Sequence, residues 1–584
     1  MHALVAKNLS KNFLKPHLYP KEVLPYDFRG WTQNYIWVHK QPFFLWQMAL
    51  SIKVFGANIF AVRLPSALCF TFATYCVYKI GKNIVNAPIG FYAAVLFSMS
   101  FYFGELCTGS LSTDHNDIVF ISYVTASVWA FSEYIVNPGK RRWVIMIGIF
   151  SGIAILNKWL VGLLIFSGWF THILLTTEKG KLFNIRTYKD IFLGLIVAII
   201  VFAPWQIFCL LNFPEETKYE MTFNSKHLFE PIEGHGGDAY FYFNNLYLTY
   251  GRFSPLFIVL GLSLLYSYFK DKRHFISCMT MFVVCYTFYT LVATKMNGFT
   301  MIVSFFVYLG FGAIIYRVYS LIKKKLIADV AVVLIVFTSG ILILRIEEKQ
   351  ASHSDWKANS VAYYNRKNQI YWKDLCLNLN KFLPNEKYVL FNCPEMQEHK
   401  LMFHTNYIGY WGVPNDQQAA TVRSKGLGVA VYNDGNIDVS GLKSKGYIIV
   451  TDAAHEIIKS DTFKIIKYGL NPLSIEADGR VTCNNNNPGV NFIVNQYKDG
   501  TCSMKSAERG YLTYGVNLYG ELFGFKSRLD YSERFYLEKN TGDFYKIKTL
   551  DGEYVKIING GVNIISNKDE NNKDDLFEFK KVTI

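Results

Sequence analysis

The chain has 584 residues, of which 51% are hydrophobic and 17% aromatic, and a formal net charge of +15. The Lys and Arg residues stand in short clusters between long apolar runs, the pattern of membrane topology signals, which argues against a nucleic-acid-binding face. The ten cysteines show no CxxC spacing, which argues against a structural zinc site.

Apolar runs recur from about Phe60 to Leu344, and the chain beyond Arg345 reads as ordinary soluble protein. Roughly 17–25 apolar residues cross a bilayer as helix. That rule predicts ten spans, near 60–81, 88–105, 117–136, 143–157, 159–177, 190–211, 253–269, 275–294, 299–317 and 327–345, with the fourth and fifth short enough to form one tight hairpin.

Alternate connections carry Lys79/Lys82, Lys140/Arg141/Arg142, Lys179/Lys181/Arg186/Lys189, Lys270/Lys272/Arg273 and Arg317/Lys323/Lys324/Lys325. The connection "GELCTGSLSTDHND" has no Lys or Arg, and the one at 296–298 has only Lys295 at its edge. Basic loops stay in the cytoplasm, so residues 1–59, the loop 212–252 and everything after Arg345 are expected on the outer face. The opening segment carries Lys7, Lys11, Lys15, Lys21, Arg29, Lys40 and Lys53, yet no span leads it across. A further transmembrane helix before Met1 is therefore expected.

Beyond Arg345, residues 346–470 alternate short strands such as "YVLFN" and "YIIVT" with polar helical pieces, the pattern of a small α/β domain. Residues 471–584 repeat: "NFIVN", "RFYLE" and "LFEFK" place Phe492, Phe535 and Phe577 at intervals of 43 and 42. A strand-rich repeat of this length predicts a closed all-β unit. Cys483 and Cys502 are candidates to pair if this part is exported.

The outward segments carry a resemblance. "HKQPFFLWQMALSIKVFGANIFAVRLPSAL" presents Lys40-Gln41-Pro42-Phe43, Phe55-Gly56 and Arg63-Leu64-Pro65-Ser66, followed by "STDHND", "GIAILNKW", "KHLFEPIEGHGG" and "ATKMNGFT". In that order they resemble the polyprenyl-phosphate-sugar glycosyltransferases of the GT-C fold, the superfamily of lipid A aminoarabinose transferases and protein O-mannosyltransferases. The resemblance covers roughly residues 1–345. It implies a polytopic helical enzyme of a bacterial inner membrane that moves a sugar from a polyprenyl phosphate to a lipid, glycan or protein acceptor, inverting the anomeric centre. Relatives carry an acidic pair just before a stretch similar to "HALVAKN", and that pair has no counterpart here. The C-terminal repeat resembles a fascin-like β-trefoil, most visibly in "TLDGEYVKI" and "ISNKDE".

Such a reaction needs cations aimed at the departing phosphate and a group to take the acceptor's proton. Lys40 and Lys295 match the resemblance as phosphate ligands, although Lys295 at a helix end also suits the helix dipole. Asp114 and Asp117 stand where the chain re-enters the membrane; either one caps a helix or faces the site. Asp114, His227 and Glu230 are the catalytic candidates, with His227 and Glu230 on one face if their segment is helical. His39 and His227 are candidate ligands of a divalent metal. Arg252 begins a helix, the unfavourable end for a cation, and so points to an anionic partner. Lys158 and Arg63 read as edge or structural residues, as do His115, Glu233 and His235, and Asn297 replaces a proline common in relatives.

Two other classes fit parts of the pattern: an inactive membrane scaffold whose β domain binds glycan, and a lipid-linked sugar transporter. Transporters place ionisable groups near the bilayer midplane, whereas here they gather at one edge.

Overall fold

The computed structural model describes residues 1–109, 116–251 and 254–344, and 361–582 apart from 395, 436, 453, 470, 484–488, 515–520, 527–528, 541, 559–560 and 566–574. The chain divides into two units, Met1–Pro20 with Tyr26–Ile346 and Lys21–Pro25 with Glu347–Ile584.

The first unit is helical: α1 (His2–Leu9), α2 (Phe43–Phe55), α3 (Ile59–Ile84), α4 (Ala87–Ser98), α5 (Phe101–Thr108), α6 (Asn116–Val136), α7 (Arg141–Lys158), α8 (Leu164–Thr176), α9 (Lys189–Asn212), α10 (Pro214–Lys226), the short α11 (Phe241–Asn244) and α12 (Leu246–Tyr250), α13 (Ser254–Tyr268), α14 (Lys272–Leu291), α15 (Ser304–Leu321) and α16 (Lys325–Leu344). A helix stands at each of the ten expected spans. By length and composition, six runs of the described residues can cross a membrane, or seven if the bent pair α4–α5 is one span. Helix α13 has 15 described residues and falls just below the length for a crossing on its own.

One of the six runs, Arg141–Thr176, is not a straight helix. The chain reverses at Trp159–Leu163: Trp159 has φ +66°, and a Cβ on Gly162 would come within 2.8 Å of Ile155 N. Seven residues of straight helix would hold those positions about 10 Å apart. The two short spans are the arms of a hairpin.

The interior is built from α6 and α15, whose apolar windows are 78% and 83% buried, against 22% for α9. The exposed side of α9, with Ile196, Ile199, Ile200 and Ile207, is apolar, as a lipid-facing surface must be. Small residues let the helices approach: a Cβ on Gly81 would stand 2.4 Å from Gly90 Cα.

Ion pairs and loop contacts mark one end of the bundle. Lys79 pairs with Glu133 at 3.0 Å, Tyr134 donates to Asp190 at 3.0 Å, and the His172 and His274 rings lie 5.3 Å apart. These groups flank the basic loops. The opposite end gathers the start of α6, the end of α7 and the chain that follows α14. Residues 1–59 fold as α1 and α2 with a bridge between His17 and Ile36, around a fully buried Trp37.

The second unit begins, among the described residues, with α17 (Val361–Leu377) and a four-stranded parallel sheet, order β2-β1-β3-β4, of β1 (Tyr388–Cys393), β2 (Ile408–Trp411), β3 (Gly428–Tyr432) and β4 (Ile448–Val450). Continuous apolar strands such as "GVAVY" suit a sheet covered on both faces. Helices α18 (Glu398–His404), α19 (Asp416–Ser424) and α20 (Val439–Ser444) connect the strands.

The remaining twelve strands, β5 (Ile457–Lys467) through β16 (Leu576–Lys581), form one sheet whose ends meet, with Gly524 N–H donating to Gly479 O at 2.8 Å. The β part begins at Ile457, earlier than the boundary near 470 read from the sequence, because β5 pairs with both β8 (Asn491–Tyr497) and β16. Phe492, Phe535 and Phe577 are each fully buried in one core. Cys483 and Cys502 share that core as free thiols, and Cys483 bonds to Asn471 O, so the expected pairing is not formed.

Candidate active site

His39 is 4% exposed and stands between the Trp31 and Trp37 rings, with centroids at 5.1 and 5.3 Å. Its Nδ1 pairs with the buried Glu220 carboxylate of α10, and its Nε2 lies 2.9 Å from the Asn34 amide and 3.1 Å from Gly30 O. Both ring nitrogens are engaged, so His39 joins the first loop to α10 and keeps no lone pair for a metal. This corrects the reading of His39 as a metal ligand. Lys40 follows, with Nζ 4.7 Å above the Trp31 ring.

The end of α10 leads into His227. The helix stops at Lys226, so His227 and Glu230 lie in a turn and not on one helical face, contrary to the sequence reading. The segment docks on the chain after α14: Ala293 N–H donates to Leu228 O at 3.2 Å, Thr294 N–H to His227 O at 3.1 Å, and Lys295 N–H to His235 O at 2.9 Å.

Thr294, buried, fixes the His227 ring. Its hydroxyl donates to Glu230 O at 2.9 Å and accepts from Ile232 N–H at 3.2 Å. A hydroxyl has one proton, and a carbonyl can only accept, so the contact with His227 Nδ1 at 3.0 Å has the ring donating. The proton therefore sits on Nδ1 and the Nε2 lone pair is available. Burial lowers the His227 pKa, and the Lys40 and Lys158 charges lower it further, against a smaller opposing pull from Glu233. Glu230 contributes its backbone carbonyl, and its side chain is exposed.

Asp117, 3% exposed in the first turn of α6, pairs with Lys158 at the end of α7. Lys158 Nζ lies 4.5 Å above the Phe299 ring. A narrow cleft runs alongside, lined by Asp117, Phe120, Lys158, Tyr289, Gly298 and Phe299. Lys158, read from the sequence as an edge residue although it stands in the matched stretch "GIAILNKW", thus pairs with Asp117 beside this cleft.

Lys295 is 5% exposed, and its Nζ donates to Tyr289 O at 3.3 Å, Thr290 O at 2.8 Å and Val292 O at 2.8 Å. It caps α14, satisfying carbonyls that the helix leaves open. That geometry corrects its reading as a phosphate ligand. Burial lowers its pKa, with Asp238 opposing. Arg63 lies against Gly109, where a Cβ would come within 2.1 Å of its guanidinium nitrogens. Asp114, His115 and Arg252 lie outside the described residues.

Among the described residues no three His, Cys, Asp or Glu side chains converge as a metal site. Electrostatics couple His227, with its open Nε2, to Lys40 and Lys158, and Asp117 pairs with Lys158. That set can neutralise a departing phosphate and accept a proton.

Residues 39–208 match the sequence profile of the dolichyl-phosphate-mannose-protein mannosyltransferases. Two undecaprenyl phosphate-alpha-4-amino-4-deoxy-L-arabinose arabinosyl transferases of Pseudomonas fluorescens strains are each 24% identical, one over 166 and one over 203 residues. These stretches are 28% and 34% of this chain, and span only 29% and 33% of the relatives. Solved structures are similar as well. ArnT from Cupriavidus metallidurans bound to undecaprenyl phosphate superposes with TM-score 0.49 and 12% identity, over 72% of this chain and 82% of that one. AglB from Archaeoglobus fulgidus, in complex with an inhibitory peptide and a dolichol-phosphate, gives 0.45 and 11%, over 85% and 71%. The resemblance to the polyprenyl-phosphate-sugar glycosyltransferases read from the sequence is borne out over part of the membrane domain, residues 39–208 being similar to such enzymes.

Proposed function

We propose that this protein is a membrane glycosyltransferase that moves a sugar from a polyprenyl phosphate to an acceptor hydroxyl or amine on the outer face of a bacterial inner membrane. What supports this reading is that the Lys40 and Lys158 charges both bear on His227, and that Lys158 is held by Asp117. Negative charge grows on the phosphate as the bond to the anomeric carbon breaks, and Lys40 and Lys158 supply the compensating charge. Asp117 holds Lys158 in place. His227 Nε2 takes the proton of the attacking acceptor, with Thr294 keeping the ring in the required tautomer. Attack opposite the leaving phosphate inverts the anomeric centre. Asp114 and Arg252 are candidates for acceptor and phosphate contacts. The relatives named for undecaprenyl-linked aminoarabinose make a pentose-linked polyprenyl phosphate the first donor to test.

By the same topology the second unit lies on the outer face. Its β part, with three repeated phenylalanines in one core, is read as trefoil-like, and holding an envelope glycan is its proposed role.

The test is transfer of labelled sugar from polyprenyl phosphate by purified wild type, Lys40→Ala and His227→Ala. Losses of about 100-fold or more are expected for each variant, in line with removal of an electrostatic or general-base group. Equal turnover by all three would overturn the assignment.

A further inference from the structure

The connection between α8 and α9 holds the most exposed large apolar side chain of the described residues. Phe183 is 98% and Ile185 68% exposed. Apolar groups left this bare mark an interaction surface. The loop around them is ordered by its own hydrogen bonds. Thr187 Oγ1 donates to Lys181 O at 2.8 Å, Tyr188 Oη to Leu182 O at 3.0 Å, and Arg186 N–H to Asn184 Oδ1 at 3.0 Å. Two short 3₁₀ turns result, Lys179–Lys181 and Ile185–Tyr188.

The loop is also drawn back along the bundle. The Tyr188 ring stacks on Phe170, with centroids 6.0 Å apart. Phe170 lies six residues, about 9 Å, before the end of α8. It shares a face with Leu174, which is exposed as a lipid-facing side chain is. Through its hydroxyl, Tyr188 therefore holds the turn that carries Phe183 beside the lipid-facing flank of α8.

Cations surround this turn. Lys179, Arg186 and Lys189 are exposed and pair with no carboxylate of the described residues, while Lys181 pairs with Glu178 at 2.8 Å. Asp190 is turned to Tyr134. The basic turn at Arg141 and Arg142 stands alongside. A Cβ on Gly148 would lie 2.5 Å from Gly194 O, and one on Gly152 2.8 Å from Ala198 O, so α7 and α9 run side by side in the same direction. Seven residues back from Gly148 and Gly194 are Arg141 and Thr187, at one level of the bundle. The tendency of basic loops to stay inside accounts for the sign of these charges. It does not call for an ordered turn that presents a phenylalanine.

We propose that the 179–189 loop is a docking surface for anionic phospholipid. Phe183 and Ile185 enter the leaflet, and Lys179, Arg186 and Lys189, with Arg141 and Arg142 beside them, hold the headgroup phosphates. Cations gain from the negative surface potential of a leaflet, and an apolar side chain on the same turn gains by immersion. A soluble acidic protein fits less well, because it would have to displace lipid from the flank of α8. The proposal depends on the bundle crossing a bilayer and is independent of the transfer chemistry.

The test titrates the full-length protein in detergent with phosphatidylglycerol, phosphatidylcholine or inorganic phosphate, and follows hydrogen exchange of residues 178–189. Phosphatidylglycerol should protect the loop at concentrations about 10-fold or more below those of phosphatidylcholine, and inorganic phosphate should not protect it. The triple variant Lys179→Gln, Arg186→Gln and Lys189→Gln should respond nearly equally to the two lipids. Phe183→Ser with Ile185→Ser should weaken protection by both lipids about 10-fold. All five side chains are exposed, so thermal unfolding in lipid-free detergent should match wild type for both variants. Equal response of wild type to the two lipids overturns the proposal, as do protection by phosphate alone and variants that respond as wild type does. Protection by neither lipid would leave the surface to a protein partner and overturn it as well.

Discussion

Thr294→Val tests the geometry of the site most directly. The two side chains have nearly the same volume, so packing is kept and one hydroxyl is lost. Three hydrogen bonds disappear: to Glu230 O, from Ile232 N–H and from His227 Nδ1. Two partly buried backbone groups and one ring N–H lose their shared partner, at about 1–3 kcal/mol for each group left unsatisfied. Water reaches the partly exposed loop and offsets some of this, leaving a local loss of about 2–4 kcal/mol, or roughly 30- to 700-fold in the docking of residues 227–235. His227 is then free to take the other tautomer, and turnover should fall well beyond any change in donor affinity. Hydrogen exchange of residues 227–235 and 293–295, read beside sugar transfer, checks both parts. Unchanged exchange with unchanged turnover would refute the role given to Thr294.

Lys158→Met leaves Asp117 charged and buried, and a loss of about 1–3 kcal/mol is expected in thermal unfolding, below the range for fully buried pairs because Lys158 is partly exposed; Asp117→Asn with Lys158→Met should recover part of it. Lys295→Met removes a helix cap, so stability should fall by about 1 kcal/mol while KM for the polyprenyl-linked donor stays within about two-fold; a large rise in KM would return Lys295 to the phosphate. The lowered pKa of His227 places the acid limb of the kcat/KM profile below the ordinary histidine value, since the ring must be neutral to act as a base. Lys158→Met removes one depressing charge and should move that limb to higher pH. The same shift makes folding less stable on acidification, because below the ordinary histidine value the unfolded chain binds the extra proton first. Phe535→Ala should cost about 3–5 kcal/mol in the β part, as expected for emptying a fully buried aromatic site.

Much of this architecture was legible in the residues alone. Membrane helices show because lipid offers no hydrogen bonds, so every crossing must be a long apolar run, and all ten positions are helical. The hairpin at Trp159–Leu163 was legible as two runs too short to cross separately. The 42- to 43-residue spacing of Phe492, Phe535 and Phe577 marked one repeated core, because each copy buries its aromatic at the same point of the repeat. Lys40 and His227 stood out because they lie in stretches, "HKQPFF" and "KHLFEPIEGHGG", that carry the family resemblance.

Other features depended on which segments meet in space. His39 looked like a ligand until Glu220, 181 residues away, took its Nδ1. Lys295 looked like a phosphate contact until its side chain turned back onto the carbonyls of its own helix. Lys158 and Asp117, 41 residues apart, become a pair only because α6 and α7 run antiparallel. The tautomer of His227 follows from one hydroxyl across 67 residues of sequence. Local patterns in a sequence record what each segment must do to survive in lipid or water, and those the chain spelled out. The partner of a polar side chain is chosen by distances between elements far apart in the chain, and only the packed bundle decides them.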